Sequence, residues 1–171
     1  MKELYFVRHG LSELNVAGKY AGTLDTPLVK AGQDQARLAG QQAKKLNIDY
    51  IISSPLSRAL DSAKIIAEVI HLPTLSIEVN SLLVERHYGV MEGQPWNPDL
   101  DVDGVADVET IDNLLKRAQL ALQHIESMAA TNVLVVSHGG FGRALRLVIN
   151  PAIPFNDPNS PFKNAEIVRL I

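Results

Sequence analysis

Short apolar runs alternate along this chain with longer segments in which apolar residues return every three or four positions, a pattern that predicts an α/β domain. The runs Leu4 to Val7, Tyr50 to Ile52 and Val133 to Val136 are nearly all apolar, as central strands covered on both faces should be. Ile167 to Leu170 reads as a closing strand. Between these runs, Ala36, Ala39, Ala43 and Leu46 make one helical stripe, and Leu60, Ala63, Ala67 and Ile70 a second. The clearest period passes through Val108, Ile111, Leu115, Ala118, Leu122, Ile125 and Ala129, about six turns of helix. Another helix is expected after Gly139 and Gly140, burying Phe141, Leu145 and Val148 until Pro151 and Pro154 stop it. Gly93 to Asp107 has two prolines, four aspartates and the only Trp, with no usable period, and is expected to be an exposed loop.

Composition narrows the chemistry. The 171 residues are 46% apolar and 20% charged, as in an ordinary folded domain, and one domain spanning 1–171 is expected. Lys and Arg number 16 against 19 for Asp and Glu, a net charge of −3 with no basic stripe, so a nucleic-acid partner is not expected. There is no Cys, which removes disulfides, thiol catalysis and thiolate-bound metals. The apolar stretch in MKELYFV is too short for a signal peptide, and no run approaches the roughly 20 apolar residues of a membrane span. A cytoplasmic location without a membrane partner is the expectation.

In open parallel sheets ligands bind beyond the carboxyl ends of the strands. Arg8, His9 and Gly10 follow the first predicted strand, Ser53, Ser54, Pro55 and Arg58 follow the second, and Ser137, His138 and Gly139 follow the third. Ser54 reads as a helix N-cap with Pro55 at the first helical position, placing Arg58 near the positive end of the helix dipole. Gly139 and Gly140 open a helix whose N–H groups would suit a phosphate oxygen. Two imidazoles, two guanidinium forks and helix ends on one edge describe a pocket for a phosphoryl group. Taken singly, each residue also has an ordinary structural reading, and their shared edge is what favours function.

FVRHGLSELN, with Arg8, His9, Gly10, Ser12 and Asn15, is similar to the opening motif of the histidine phosphatase superfamily, which includes cofactor-dependent phosphoglycerate mutases. The likeness continues through Gly22, Asp25, Pro27 and Leu28, then Gly32, Gln35 and Ala36, then SSPLSRALDSA with Arg58. Glu85, Gly89, Glu92 and Gly93 resemble the third block, VVSHGG with His138 the fourth, and Asn164, Ala165 and Glu166 the closing turn. The resemblance implies a phosphoglycerate mutase-like fold, three-layer α/β/α with a mostly parallel central sheet. It also implies hydrolysis of a phosphomonoester through a phosphohistidine. His9 would be the nucleophile, Glu85 the proton donor and acceptor, and Arg8, Arg58 and His138 the groups that hold phosphoryl oxygens and balance their charge. Asn15, Ser12 and Gly139 would be further phosphate contacts, though Ser12 and Asn15 could equally bond the local backbone. To act first as an acid, Glu85 would have to carry a proton, which a neighbouring phosphate dianion favours. The alternative for Glu85 is a surface pair with Arg86.

Other signals compete. ERHYG, from Glu85 to Gly89, is closer to the mutase branch, but mutases are longer and need basic groups for a second charged substrate end. The lid near 93–107 has no Lys or Arg, and Ala21 stands where a hydroxyl is usual. Hydrolysis is therefore expected over transfer, with the acidic lid repelling highly anionic substrates. Asp99, Asp101, Asp103 and Gly104 imitate half of an EF-hand loop, but Thr110 occupies the position that needs a bidentate Glu, and Pro95 and Pro98 oppose a helix before it. A zinc set of His9, His138 and Glu85 is opposed by the adjacent arginines. No metal or cofactor is implied, and a small phosphorylated metabolite is the expected substrate, of open identity. Oligomeric state is also open. A catalytically idle phosphate-binding module is the alternative from another class, against which His9 and Glu85 weigh because binding alone needs neither.

Overall fold

The computed structural model describes residues 2–73, 76–97, 99–159 and 162–171. Five strands form one sheet: β1 (Glu3–Arg8), β2 (Tyr50–Ser53), β3 (Ile77–Val79), β4 (Asn132–Ser137) and β5 (Ile167–Arg169). Their order is β3-β2-β4-β1-β5, and every neighbouring pair is parallel except β1 with β5. The helices are α1 (Glu13–Val16), α2 (Lys30–Ala43), α3 (Ser57–Ile70), α4 (Ile111–Ser127) and α5 (Gly139–Ile149).

The strands read as continuous apolar runs because both faces are covered. On one face Leu4, Phe6, Ile52, Val133 and Val135 pack with residues of α4 and α5, among them Leu114, Ile125, Phe141 and Leu145. On the other, Val7, Ile51, Leu134 and Val136 pack with α2 and α3 through Ala39, Ala43, Ala59, Ala63 and Ile66. The result is the expected three-layer arrangement. Each large side chain buried this way contributes about 1.5–3 kcal/mol relative to exposure.

Several boundaries differ from the sequence pattern, each for a local reason. The long helix is shorter than its apolar period: Thr110 caps it through a bond from the Asn113 N–H, Val108 bridges Tyr88, and Ala129 lies beyond the last turn. Leu46 belongs to a 3-10 turn after α2, not to α2 itself. α3 begins at Ser57 with Leu56 as its N-cap, so Ser54 and Pro55 precede the helix. On α3 the buried face is Ala59, Ala63, Ile66 and Ala67, while Leu60 is only half-buried. β3 escapes the pattern altogether because an edge strand of three half-buried or exposed residues has no apolar run to announce it. α5 ends at Ile149, before Pro151, as expected.

The register of β1 against β4 positions the chemistry. Arg8 pairs with Ser137, and the His9 N–H donates to the Ser137 carbonyl at 3.0 Å. Parallel pairing therefore sets His9 and His138 side by side as both strands end.

Candidate active site

A cavity of about 160 Å³ opens at this carboxyl edge, lined by Arg8, His9, Asn15, Arg58, Glu85 and Gly139 together with residues of the surrounding loops. His9 is buried, and its ring is held at both nitrogens. Nδ1 lies 2.6 Å from the Gly10 carbonyl, and Arg58 Nε donates to Nε2 at 3.2 Å. A carbonyl can only accept and a guanidinium only donate, so the ring is neutral, with its proton on Nδ1 and its lone pair on Nε2. Burial pushes the His9 pKa well below the ordinary histidine range, and the Arg8 and Arg58 cations push it the same way.

Arg58 stands in the first turn of α3 and is almost fully buried. Its fork is fastened by two carbonyls, Nη1 to Leu24 O at 2.8 Å and Nη2 to Gly22 O at 2.7 Å. Arg8 is held by a 3.3 Å bond from Nη1 to the Phe162 carbonyl. Burial lowers the pKa of both arginines, while the Glu85 carboxylate opposes that shift. His138 packs edge-on to His9, with ring centroids 5.1 Å apart, and its Nε2 lies 2.8 Å from Ser54 Oγ. Its pKa is also pushed well below the ordinary range, first by burial and then by Arg58 and the neighbouring groups. Among the described residues, buried His138 Nδ1 and Arg8 Nε have no hydrogen-bond partner. Such orphans are costly unless something polar satisfies them.

Glu85 sits at the start of α5. Its Oε1 accepts from the N–H groups of Arg86 at 2.7 Å and Phe141 at 3.0 Å, and Oε2 from that of Gly140 at 3.1 Å. The N–H groups of Gly140 and Phe141 at this helix N-terminus orient the carboxylate, as its dipole favours, while Gly139 lines the cavity. A side chain at position 140 would put its Cβ 2.6 Å from Glu85 Oε1, which is why glycine is needed there. The surface pair with Arg86 does not form. The Arg86 side chain turns away to the Glu109 carbonyl and to Asp103.

Of the other expected contacts, Asn15 lines the cavity with its Oδ1 taken by the Ser12 N–H at 3.2 Å, which leaves its amide NH2 as the donor. Ser12 is fully buried as the N-cap of α1 and forms a capping box with Asn15. Its hydroxyl accepts the Asn15 N–H at 3.4 Å, the local backbone bond weighed as the alternative, and Ser12 is not among the residues lining the cavity. Ser54, expected as a helix cap, is instead the partner of His138.

The cavity mouth includes residues that the sequence pattern did not assign: Lys19, Tyr20, Tyr88, Trp96 and Arg143. Among the described residues neither Lys19 nor Arg143 meets a carboxylate within ion-pair distance. Arg143 was within reach of sequence reasoning. It lies four residues after Gly139 on the same helix, and helical side chains lean back toward the N-terminus. Lys19 and Trp96 are brought in by an antiparallel pairing of loops, in which Lys19 bridges Pro95 and the Trp96 N–H donates to Gly18 O. The lid aspartates do not line the cavity. Asp103 is drawn to Arg86, and Asp101 accepts the Asp103 N–H at 2.9 Å. Lys19 and Arg143, not the lid aspartates, are the charged groups at the cavity mouth. Pro98, which bears on the EF-hand likeness, lies outside the described residues.

A buried neutral imidazole among cations, with a carboxylate fixed nearby, suits a phosphoryl group. This chain belongs to the histidine phosphatase superfamily, branch 1, whose family model it matches over residues 4–171. It is 34% identical over 161 residues to the uncharacterized phosphatase PhoE of Bacillus subtilis, covering 90% of this chain and 80% of that one. It is 34% identical over 160 residues to phosphoglycerate mutase-like protein 4 of Arabidopsis thaliana, covering 84% and 69%. Its structure is similar to that of a mycobacterial glucosyl-3-phosphoglycerate phosphatase in complex with VO3, with a TM-score of 0.81 at 26% identity, covering 99% of this chain and 92% of the other. Among the described residues no helix is long and apolar enough to cross a membrane.

Proposed function

We propose that this protein hydrolyses a small phosphomonoester through a phosphohistidine on His9. The observation that carries the reading is the His9 ring itself, buried, neutral, with its Nε2 lone pair held by a guanidinium at the cavity wall. In the first step the Arg58 Nε–H hydrogen bond passes from Nε2 to a phosphoryl oxygen, the freed Nε2 lone pair bonds to phosphorus as the bond to the leaving oxygen breaks, and Glu85 donates a proton to that oxygen. Among the described residues Oε2 accepts one bond, from Gly140, and keeps a lone pair for that proton. In the second step water attacks phosphorus, Glu85 takes its proton, and the phosphorus–nitrogen bond breaks to restore His9. Arg8, Arg58, His138 and the Asn15 amide stabilise the charge spread over the phosphoryl oxygens, with the unsatisfied Arg8 Nε and His138 Nδ1 as fitting donors. Neither step draws on a metal or cofactor.

A second reading, mutase-type transfer, is favoured by one specific observation. Lys19 and Arg143 supply basic groups at the mouth that the lid lacks, and such groups hold a second anionic end of a substrate. Hydrolysis of p-nitrophenyl phosphate with and without EDTA tests the first reading, and a phosphoglycerate mutase assay tests the second. EDTA-resistant turnover is expected; its absence together with mutase activity would replace the first reading by the second. Arg143→Ala is expected to reduce kcat/KM on phosphorylated carboxylic acids about tenfold more than on p-nitrophenyl phosphate, and an equal loss on both would remove any role in a second anion.

A further inference from the structure

Glu92 does not line the cavity, yet it is the most heavily bonded carboxylate near it. Its side chain is 9% exposed, and it sits between two segments of the cavity wall. Oε1 accepts from the Thr23 N–H at 2.8 Å and the Tyr88 N–H at 3.1 Å, both oxygens lie 3.1 Å from Thr23 Oγ1, and His87 Nδ1 is 3.0 Å from Oε1. Gly22 has φ +50°, and a Cβ there would overlap Glu92 Oε1. The carboxylate occupies the space a side chain at position 22 would take, and the turn bends in the left-handed sense to admit it.

That turn is what holds Arg58. The Gly22 and Leu24 carbonyls receive Nη2 and Nη1, while Nε remains for His9. No carboxylate among the described residues lies within ion-pair distance of the Arg58 fork, and the nearby Asp25 already accepts the Ser57 N–H at 2.8 Å. Two backbone carbonyls, set by the turn, therefore fix where this buried cation points.

We propose that Glu92 is a positioning residue for the phosphoryl-transfer step, clamping the 22–24 turn so that its carbonyls aim the Arg58 fork at His9 Nε2. The proposal rests on His9 as the nucleophile only for its kinetic consequence; the chain of contacts from Glu92 through the turn and Arg58 to His9 stands on geometry. A merely structural carboxylate would cost stability without changing what His9 experiences. A positioning carboxylate acts through Arg58 and so loses its effect when Arg58 is gone.

The test uses Glu92→Gln, with Thr23→Val carrying the same measurements if Glu92→Gln does not fold, alone and combined with Arg58→Ala. On p-nitrophenyl phosphate, kcat is expected to fall on the order of 10- to 100-fold in Glu92→Gln. In the Arg58→Ala background the same substitution is expected to cost less than about twofold. Nitrogen-15 spectra of the histidine rings read the link without turnover. In the parent, His9 is a neutral ring protonated at Nδ1 with a bonded Nε2. In Glu92→Gln the Nε2 bond should weaken and the His9 titration should move upward as Arg58 withdraws, with Arg8 and His138 still facing the ring. A folded variant with parent-like kcat and His9 spectra, or equal losses in both backgrounds, would overturn the proposal. Failure of the parent to hydrolyse any phosphomonoester would sink the phosphatase reading, and the ring spectra alone would then decide the Glu92 link.

Discussion

The two strand ends and the 93–107 segment are built on opposite terms. At the ends of β1 and β4, His9 and His138 are nearly or wholly buried and are placed by sheet register and by bonds to Gly10, Arg58 and Ser54. The 93–107 segment is mostly exposed, without helix or strand among its described residues, and is pinned chiefly by loop pairing and by Arg86 with Asp103. If His9 and His138 act on a phosphoryl group as proposed, they need one geometry, because misplacement of reacting atoms is amplified in rate. Of the described residues of the 93–107 segment, Trp96 lines the cavity; a segment held by few bonds needs no such rigidity.

That contrast can be broken in graded ways. The largest effect is expected from His9→Ala, which should remove turnover by on the order of ten-thousandfold or more while the thermal transition persists. Retained turnover in the folded variant would refute the nucleophile. Glu85→Gln keeps the shape and removes the transferable proton, and kcat should fall about 10²- to 10⁴-fold. A loss confined to KM would assign Glu85 to substrate binding instead.

The buried histidines also tie stability to pH. Both have folded pKa values well below 6.5, so below pH 6.5 the unfolded chain takes up protons that the native state refuses. Their contribution therefore leaves stability level above pH 6.5 and lowers it as pH falls below that value, until the folded pKa values are reached. Urea midpoints measured from pH 8 down to 5 should decline in the lower half of the range, and less steeply in His138→Gln. The same depression keeps His9 Nε2 unprotonated, so loss of activity just below pH 6.5 that followed His9 protonation would contradict it. The smallest effect is expected at the lid. Asp103→Asn frees an exposed partner of buried Arg86 and should cost about 1 kcal/mol or less in stability, with kcat on p-nitrophenyl phosphate little altered.

Much of the fold and site was legible in the chain because the relevant signals are local. Central strands read as apolar runs, and α2, α4 and α5 as apolar periods, since both result directly from which faces are covered. His9 and His138 fall on one edge because strand ends fall there; Arg58 reaches it from the first turn of α3, and Glu85, legible only through the family motif, from the segment after the 3-10 turn Ser81–Leu83. Signals of long range were not legible. The edge strand Ile77–Val79 has no pattern of its own, and Ser54 looks like a cap until His138 is beside it. Gly140 looks like a phosphate-binding helix start until Glu85 is found on its N–H.

The sequence by itself determined the layers and the family, and named the candidate site residues, because periodicity and motif are properties of neighbouring residues. Tertiary structure alone decided their states and partners: His9 neutral between Gly10 and Arg58, Asp103 drawn off to Arg86, Lys19 and Arg143 at the mouth, and Glu92 behind the turn that holds Arg58. Those outcomes depend on burial and on pairings between residues far apart in the chain, 69 positions in the case of Thr23 and Glu92, and no local pattern encodes a contact of that kind.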